Sequence, residues 1–194
     1  MDIDNWKYYC YNQTTSVINF IKTFSEDYKV AAFFPSTKFA AKKIASEIKP
    51  EYKVVVEYGA GDGAVTKELL KVLPADGKLI AVELNSNFVK ELQKINYKRL
   101  EIISDDVVFV SKNLSIYGQI DMVISGISFT LFKPQTREKI ISDSYKSINE
   151  GGRVLLYQYY LLMLPYMRKA CGKNIRWYIE PRNIFPYWVM IAEK

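Results

Sequence analysis

A chain of 194 residues fills one domain well and is too short for two of ordinary size. Its apolar share of 49% and charged share of 25% exclude a disordered chain, and the absence of histidine excludes Ser/His and Cys/His nucleophile systems and every His-ligated metal site. The net charge of +6 is concentrated in residues 151–194, with seven Lys/Arg against two Asp/Glu, and points to an anionic partner surface, with a merely solubilising face as the alternative.

Asp2 and Asp4 ahead of Trp6 are wrong for the basic start of a signal peptide, so a cytoplasmic protein is expected. Residues 4–24 read as a helix with Val17, Phe20, Ile21 and Phe24 in one stripe, either a core face or a membrane face. Trp6, Tyr8, Tyr9 and Tyr11 stand just ahead of it. Cys10 and Cys171 lie far apart without a CxxC spacing, which gives neither a disulfide framework nor a metal site. Residues 36–48 read as a second helix with Ser36 as its N-cap. Val54, Val55 and Val56 make a buried strand, and residues 64–73 a helix broken by Pro74-Ala75-Asp76-Gly77.

Strand and helix signals then alternate. Residues 78–83, 100–104, 121–125 and 153–157 read as strands, and 87–95 and 137–148 as helices, the last stopped by Gly151-Gly152. Such alternation requires a parallel sheet. Residues 174–179 and 187–192 are two further strands joined by a short turn at 180–183, hence antiparallel to each other. The expected fold is α/β: a Rossmann-like, mostly parallel sheet with an antiparallel C-terminal hairpin and two N-terminal helices. It forms a single domain over 1–194, in which 1–50 is a helical segment and 51–194 the cofactor-binding core.

The stretch Glu57-Tyr58-Gly59-Ala60-Gly61-Asp62-Gly63 follows the first strand. Glycines there let the backbone approach a ligand, and the next helix offers free N–H groups. Gly59, Gly61 and Ala64 also satisfy the dinucleotide fingerprint, so an NAD-binding oxidoreductase stays open on the loop alone. Three features favour another cofactor. Glu57 at the strand tip suits a cationic ammonium, Gly63 gives the shorter G-x-G-x-G spacing, and Glu83 and Asp105 end the next two strands.

Together these residues resemble class I S-adenosylmethionine-dependent methyltransferases. The resemblance implies S-adenosyl-L-methionine as cofactor and no metal. It places Glu57 at the methionyl end, Glu83 on the ribose hydroxyls and Asp105 near adenine, with Gly59, Ala60, Gly61, Gly63 and Thr66 forming the cradle. Leu84, Asp106 and Ser125 complete the implied cofactor contacts. A carboxylate accepting ribose hydroxyls makes charge-assisted bonds, which is the physical reason for an acid at position 83.

Phe33-Phe34-Pro35-Ser36-Thr37-Lys38-Phe39-Ala40, Ala81-Val82-Glu83-Leu84-Asn85 and Val123-Ile124-Ser125-Gly126-Ile127 are similar to bacterial phosphatidylethanolamine N-methyltransferases. So is Arg182-Asn183-Ile184-Phe185-Pro186 near the end. That likeness implies N-methylation of a phospholipid amine headgroup at an anionic membrane surface, peripheral on the inner face. The chain departs from it at Ser128, Ala60 and Asp62. The related rRNA adenine dimethyltransferases share the glycine loop and follow the fourth strand with Asn-(Leu/Ile)-Pro-(Tyr/Phe), whose amide and ring hold a flipped adenine. Here Ser125-Gly126-Ile127-Ser128-Phe129 lacks both the Asn and the Pro, which weakens the nucleic-acid reading without removing it. Ser125, Gly126 and Tyr157 are the candidate catalytic positions, Tyr157 as a cation-facing ring. The apolar run 159–166 beside Arg168, Lys169, Lys173 and Arg176 suits an acyl chain among anionic headgroups, or a substrate lid.

Overall fold

The computed structural model describes residues 36–183 and 185–194; the helix expected over 4–24 lies outside the described residues. Helix α1 (Lys38–Ala45) is shorter than the 36–48 pattern predicts. Thr37 is its N-cap, accepting from the Ala40 N–H at 3.2 Å. Ser36, the expected cap, lies instead 3.2 Å from the Tyr187 hydroxyl. Ala40, Ala41, Ile44 and Ala45 form the buried face of α1, which packs on α2 (Ala64–Val72).

The described residues form a seven-stranded sheet in the order β3-β2-β1-β4-β5-β7-β6. Its strands are β1 (Val54–Tyr58), β2 (Lys78–Val82), β3 (Leu100–Ile103), β4 (Ile120–Ser125), β5 (Ile148–Gln158), β6 (Ile175–Glu180) and β7 (Tyr187–Glu193). The first five are parallel, and β7 lies antiparallel between β5 and β6. Both the parallel core and the antiparallel hairpin agree with the alternation in the sequence. The chain runs outward from β1 to β3, then returns to build β4 and β5 on the other side. The strand order therefore reverses between β1 and β4, and such a reversal opens a crevice at the carboxyl ends of the strands.

Helices α1, α2 and α3 (Ser86–Gln93) cover one face, over Val55, Leu79, Ile124, Leu155 and Ile191. Helices α4 (Val107–Lys112), α5 (Pro134–Ser147) and α6 (Leu164–Cys171) cover the other, over Val56, Ile80, Val123, Leu156 and Met190. Burying one such aliphatic side chain stabilises by about 1.5–3 kcal/mol, whereas an exposed ion pair gives about 0–1 kcal/mol. The two apolar layers, not the surface charges, hold the sheet in place.

Two later element starts differ from expectation by three residues or more. Pro134 at the first turn of α5 starts that helix before 137. Strand β5 begins at Ile148, where a helix end was expected, because Gly151 and Gly152 sit within the strand at a register shift against β4. Helix α4 is additional. No helix among the described residues is long and apolar enough to cross a membrane.

Candidate functional site

The loop after β1 turns on Gly59, Gly61 and Gly63, all left-handed at φ 73°, 56° and 80°. Gly59 has no alternative, since a Cβ there would lie 2.8 Å from the Ile127 side chain in a backbone conformation side chains rarely adopt. Its N–H donates to the Val82 carbonyl at 2.9 Å, stitching the loop to β2. Gly63 then opens α2 without a side chain of its own, and Asp62 accepts from the first helical N–H, that of Ala64, at 3.1 Å.

Glu83, the residue after β2, is a buried carboxylate. It accepts from the Gly61 N–H at 2.8 Å and from the Asn85 N–H at 2.9 Å. The acid thus holds the glycine loop from the side while Asn85 caps α3. Leu84, next in the chain, is 52% exposed. Asp105, after β3, accepts from the Asp106 N–H at 2.7 Å. Asp106 caps α4 through the Val108 N–H at 2.8 Å, so helix capping accounts for that acid.

Glu57 is fully buried at the β1 tip. One oxygen accepts from the Thr66 hydroxyl at 2.6 Å, and the other has no hydrogen-bond partner among the described residues. Burial pushes this carboxyl up to about 8, against the Thr66 bond and helped by the charges of Glu83 and Asp62. A buried carboxyl with an unmet oxygen beside a glycine cradle fits the ammonium end of an amino-acid-bearing cofactor.

Across the crevice, Ser125 at the end of β4 is buried and its hydroxyl lacks a partner among the described residues. It pairs in register with Tyr58 and Leu156, so it points to the α5 side. Tyr157 points to the opposite, α2 side. Its ring lies over Gly126, where an added Cβ would meet the Tyr157 hydroxyl at 2.1 Å. Burial, then the neighbouring Glu57 charge, hold that hydroxyl well above its usual range. It is protonated at neutral pH and cannot serve as a base.

The structure therefore gathers Glu57, Gly59, Ala60, Gly61, Gly63, Thr66, Glu83, Ser125, Gly126 and Tyr157 around the tips of β1, β2 and β4. Leu84, Asp105 and Asp106 flank them at the β2 and β3 ends. Two rings were not anticipated: Tyr187, 5.2 Å from Tyr157, and Tyr159, 5.1 Å from Tyr187. The expected hairpin held the signal, because an antiparallel β7 must begin on the cofactor side of the sheet. In the segment expected to receive an acyl chain or act as a lid, Met163, Leu164 and Met167 belong to the core, while Tyr160 and Leu162 are exposed.

The sequence pattern of the ribosomal RNA adenine dimethylase family matches residues 26–139. The ornithine lipid N-methyltransferase of Singulisphaera acidiphila is 27% identical over 172 residues, covering 85% of this chain and 88% of that protein. Among solved structures, a precorrin-6y methyltransferase of Geobacter metallireducens superposes with a TM-score of 0.64 at 17% identity, over 80% of this chain and 88% of that one. A 16S rRNA N2 methyltransferase of T. thermophilus, solved with AdoMet and guanosine, gives 0.63 at 20% identity, over 84% of this chain and 44% of the other. At such identities the structural likenesses establish the fold. The family pattern runs from the segment before α1 into α5, more than half of the sequence, so the chain belongs to the ribosomal RNA adenine dimethylase family and is an S-adenosylmethionine-dependent class I methyltransferase.

Proposed function

We propose that the enzyme N-methylates the amine of a phospholipid headgroup, of the phosphatidylethanolamine type, rather than an adenine. The observation that carries this reading is the packing of Tyr157 over Gly126. In the rRNA enzymes an Asn follows the fourth strand and its amide holds the flipped base. Here the corresponding position is Gly126, and the space an Asn side chain needs is taken by the Tyr157 ring. Phe129, at the place of the base-stacking aromatic, is wholly buried against Phe132. Neither grip on adenine is available. The relative named for ornithine lipid N-methylation supports an amine-bearing lipid, and makes an ornithine lipid the second acceptor to try.

In this reading Glu57 receives the methionyl ammonium, Glu83 the ribose hydroxyls and Asp105 the adenine amino group. Ser125, buried on the α5 side, serves the cofactor. Gly126 and Tyr157 face the acceptor. When bound, S-adenosylmethionine would supply a sulfonium methyl group, on whose carbon a neutral nitrogen lone pair can form the N–C bond as the C–S bond breaks and S-adenosylhomocysteine leaves, without need of a strong base. The Tyr157 hydroxyl oxygen accepts from an N–H of that amine and leaves the nitrogen lone pair free, and the ring meets the growing positive charge. The amine proton leaves to water or to a nearby carboxylate.

Methyl transfer from radiolabelled cofactor should appear in phosphatidylethanolamine and be absent from ribosomal RNA. Tyr157→Phe should lower kcat about tenfold while leaving S-adenosylhomocysteine affinity within twofold. Labelled RNA with unlabelled lipid would reverse the assignment.

A further inference from the structure

We propose that the outer edge of the sheet, built on Trp177, Ile179 and Trp188, is the face by which the protein docks on an anionic phospholipid bilayer; this deepens the lipid reading and rests on it. Strand β6 is an edge strand of the sheet formed by the described residues, and its alternate residues Trp177 and Ile179 are 45% and 47% exposed. In register, Ile179 lies opposite Trp188, and Trp188 opposite Gln158. The Trp177 and Trp188 rings are in contact, with centroids 5.5 Å apart. One row of side chains therefore crosses the ends of β6, β7 and β5. It continues into the site, because the Gln158 amide donates to the Ile127 carbonyl at 2.9 Å, and Ile127 closes on Gly59.

Charge accompanies the row. Between residues 164 and 183 stand five cations and one acid. Arg182 engages Glu180, Arg176 is bound to Glu47 on the other face of β6, and Lys169 pairs with Glu138. Arg168 and Lys173 have no ion pair among the described residues. Helix α6, which carries exposed Arg168 and leads to exposed Lys173, packs on β6 and β7, so these two cations stand on the same side of the sheet as the tryptophan pair. Tryptophan with aliphatic bulk, edged by cations, suits the interface of an anionic membrane. A nucleic-acid groove calls for the cations but gives no use to exposed Ile179. The apolar half of the docking face thus comes from β6 and β7, since Met163, Leu164 and Met167, nearer the cations in sequence, are occupied in the core.

The test uses the full chain with Trp6→Phe, so that fluorescence reports Trp177 and Trp188. Vesicles of phosphatidylethanolamine and phosphatidylglycerol with brominated acyl chains should quench that emission at low salt, and quenching should fade as salt rises. The double variant W177S and I179S should lose at least tenfold in vesicle partition and in methylation of vesicle lipid. It should keep S-adenosylhomocysteine affinity and methylation of a short-chain, micelle-dispersed phosphatidylethanolamine within twofold. If the double variant melts out, quenching of the Trp6→Phe protein decides alone. Absence of quenching, undiminished partition of the variant, or a solution dimer that the variant dissolves would overturn the docking face. Vesicle docking without methylation of any lipid would uphold the face and sink the lipid-acceptor reading; lipid methylation without docking would do the reverse.

Discussion

A carboxyl at the tip of β1 with one oxygen on Thr66 and the other unmet among the described residues is costly, because a desolvated acceptor without a donor forfeits about 1–3 kcal/mol. A cationic ligand group beside it recovers that cost and adds a charge-assisted contact of about 1.5–3 kcal/mol. Glu57→Ala should therefore weaken S-adenosylhomocysteine binding by roughly ten- to a hundredfold in calorimetry, with the fold retained; unchanged affinity would count against the role. Gly126→Ala tests the acceptor side. Its Cβ would meet the Tyr157 hydroxyl at 2.1 Å, so the ring must move, and methyl transfer should drop by about tenfold or more with cofactor affinity little changed. The residues at the heart of the site were legible because their chemistry restricts residue type: left-handed turns need glycine, and hydroxyls call for an acid. Tyr187 and Tyr159 were not, since their approach to Tyr157 depends on which strand lies beside β5.

At the level of elements, periodicity recovered the parallel strands and the larger helices because each buries one continuous face. Helix α4 escaped: it is six residues long, and Val107-Val108-Phe109-Val110 has no polar positions to reveal a 3.6-residue period. Asp106, read as a ligand, was its only cue. The start of β5 was obscured by Gly151-Gly152, which read as a stop and are an irregularity inside the strand. The linkage between α1 and the β6–β7 turn was equally invisible, being a contact across 146 residues of sequence separation. There the buried Asn183 accepts from the Thr37 N–H at 2.9 Å and donates to the Phe185 carbonyl at 3.0 Å. Asn183→Ala removes the acceptor of the buried Thr37 N–H and one donor to the part-buried Phe185 carbonyl, and urea unfolding should show a loss of about 1–3 kcal/mol. A loss under 0.5 kcal/mol would mean that water replaces the amide at little cost.

Over the whole molecule, two buried glutamates of opposite tendency shape stability against pH. Glu47 lies beyond the end of α1 and ties it to the far edge of the sheet, bound by Arg176 through both oxygens, by the Tyr178 hydroxyl at 3.0 Å and by nearby Arg153. Burial alone would raise its carboxyl, but the bonds from Arg176 and Tyr178 and the two guanidinium charges bring it below its ordinary value of 4.5. The stability this network contributes is present above that value and is lost as pH falls through the lower, folded value. Glu57 runs the other way. Its folded value of about 8 exceeds the ordinary 4.5, so its contribution is full below 4.5 and is lost as pH rises toward 8, at up to about 1.4 kcal/mol per pH unit. The cofactor-free protein should therefore melt highest on the acid side of neutrality and weaken in both directions. Glu57→Gln, which cannot ionise, should flatten the alkaline limb. Glu47→Gln should lower stability at neutral pH by roughly 1–3 kcal/mol, toward the lower end because half-exposed Arg176 is screened by water, and should flatten the acid limb. Saturating S-adenosylhomocysteine should flatten the alkaline limb of the wild type as the variant does, since a cation against Glu57 favours its ionised form. Thermal melts of the three proteins from pH 4 to 9, with and without ligand, separate these effects. An alkaline limb equally steep in wild type and Glu57→Gln would show that Glu57 is already ionised in the free protein, and that the crevice holds its charge without the cofactor.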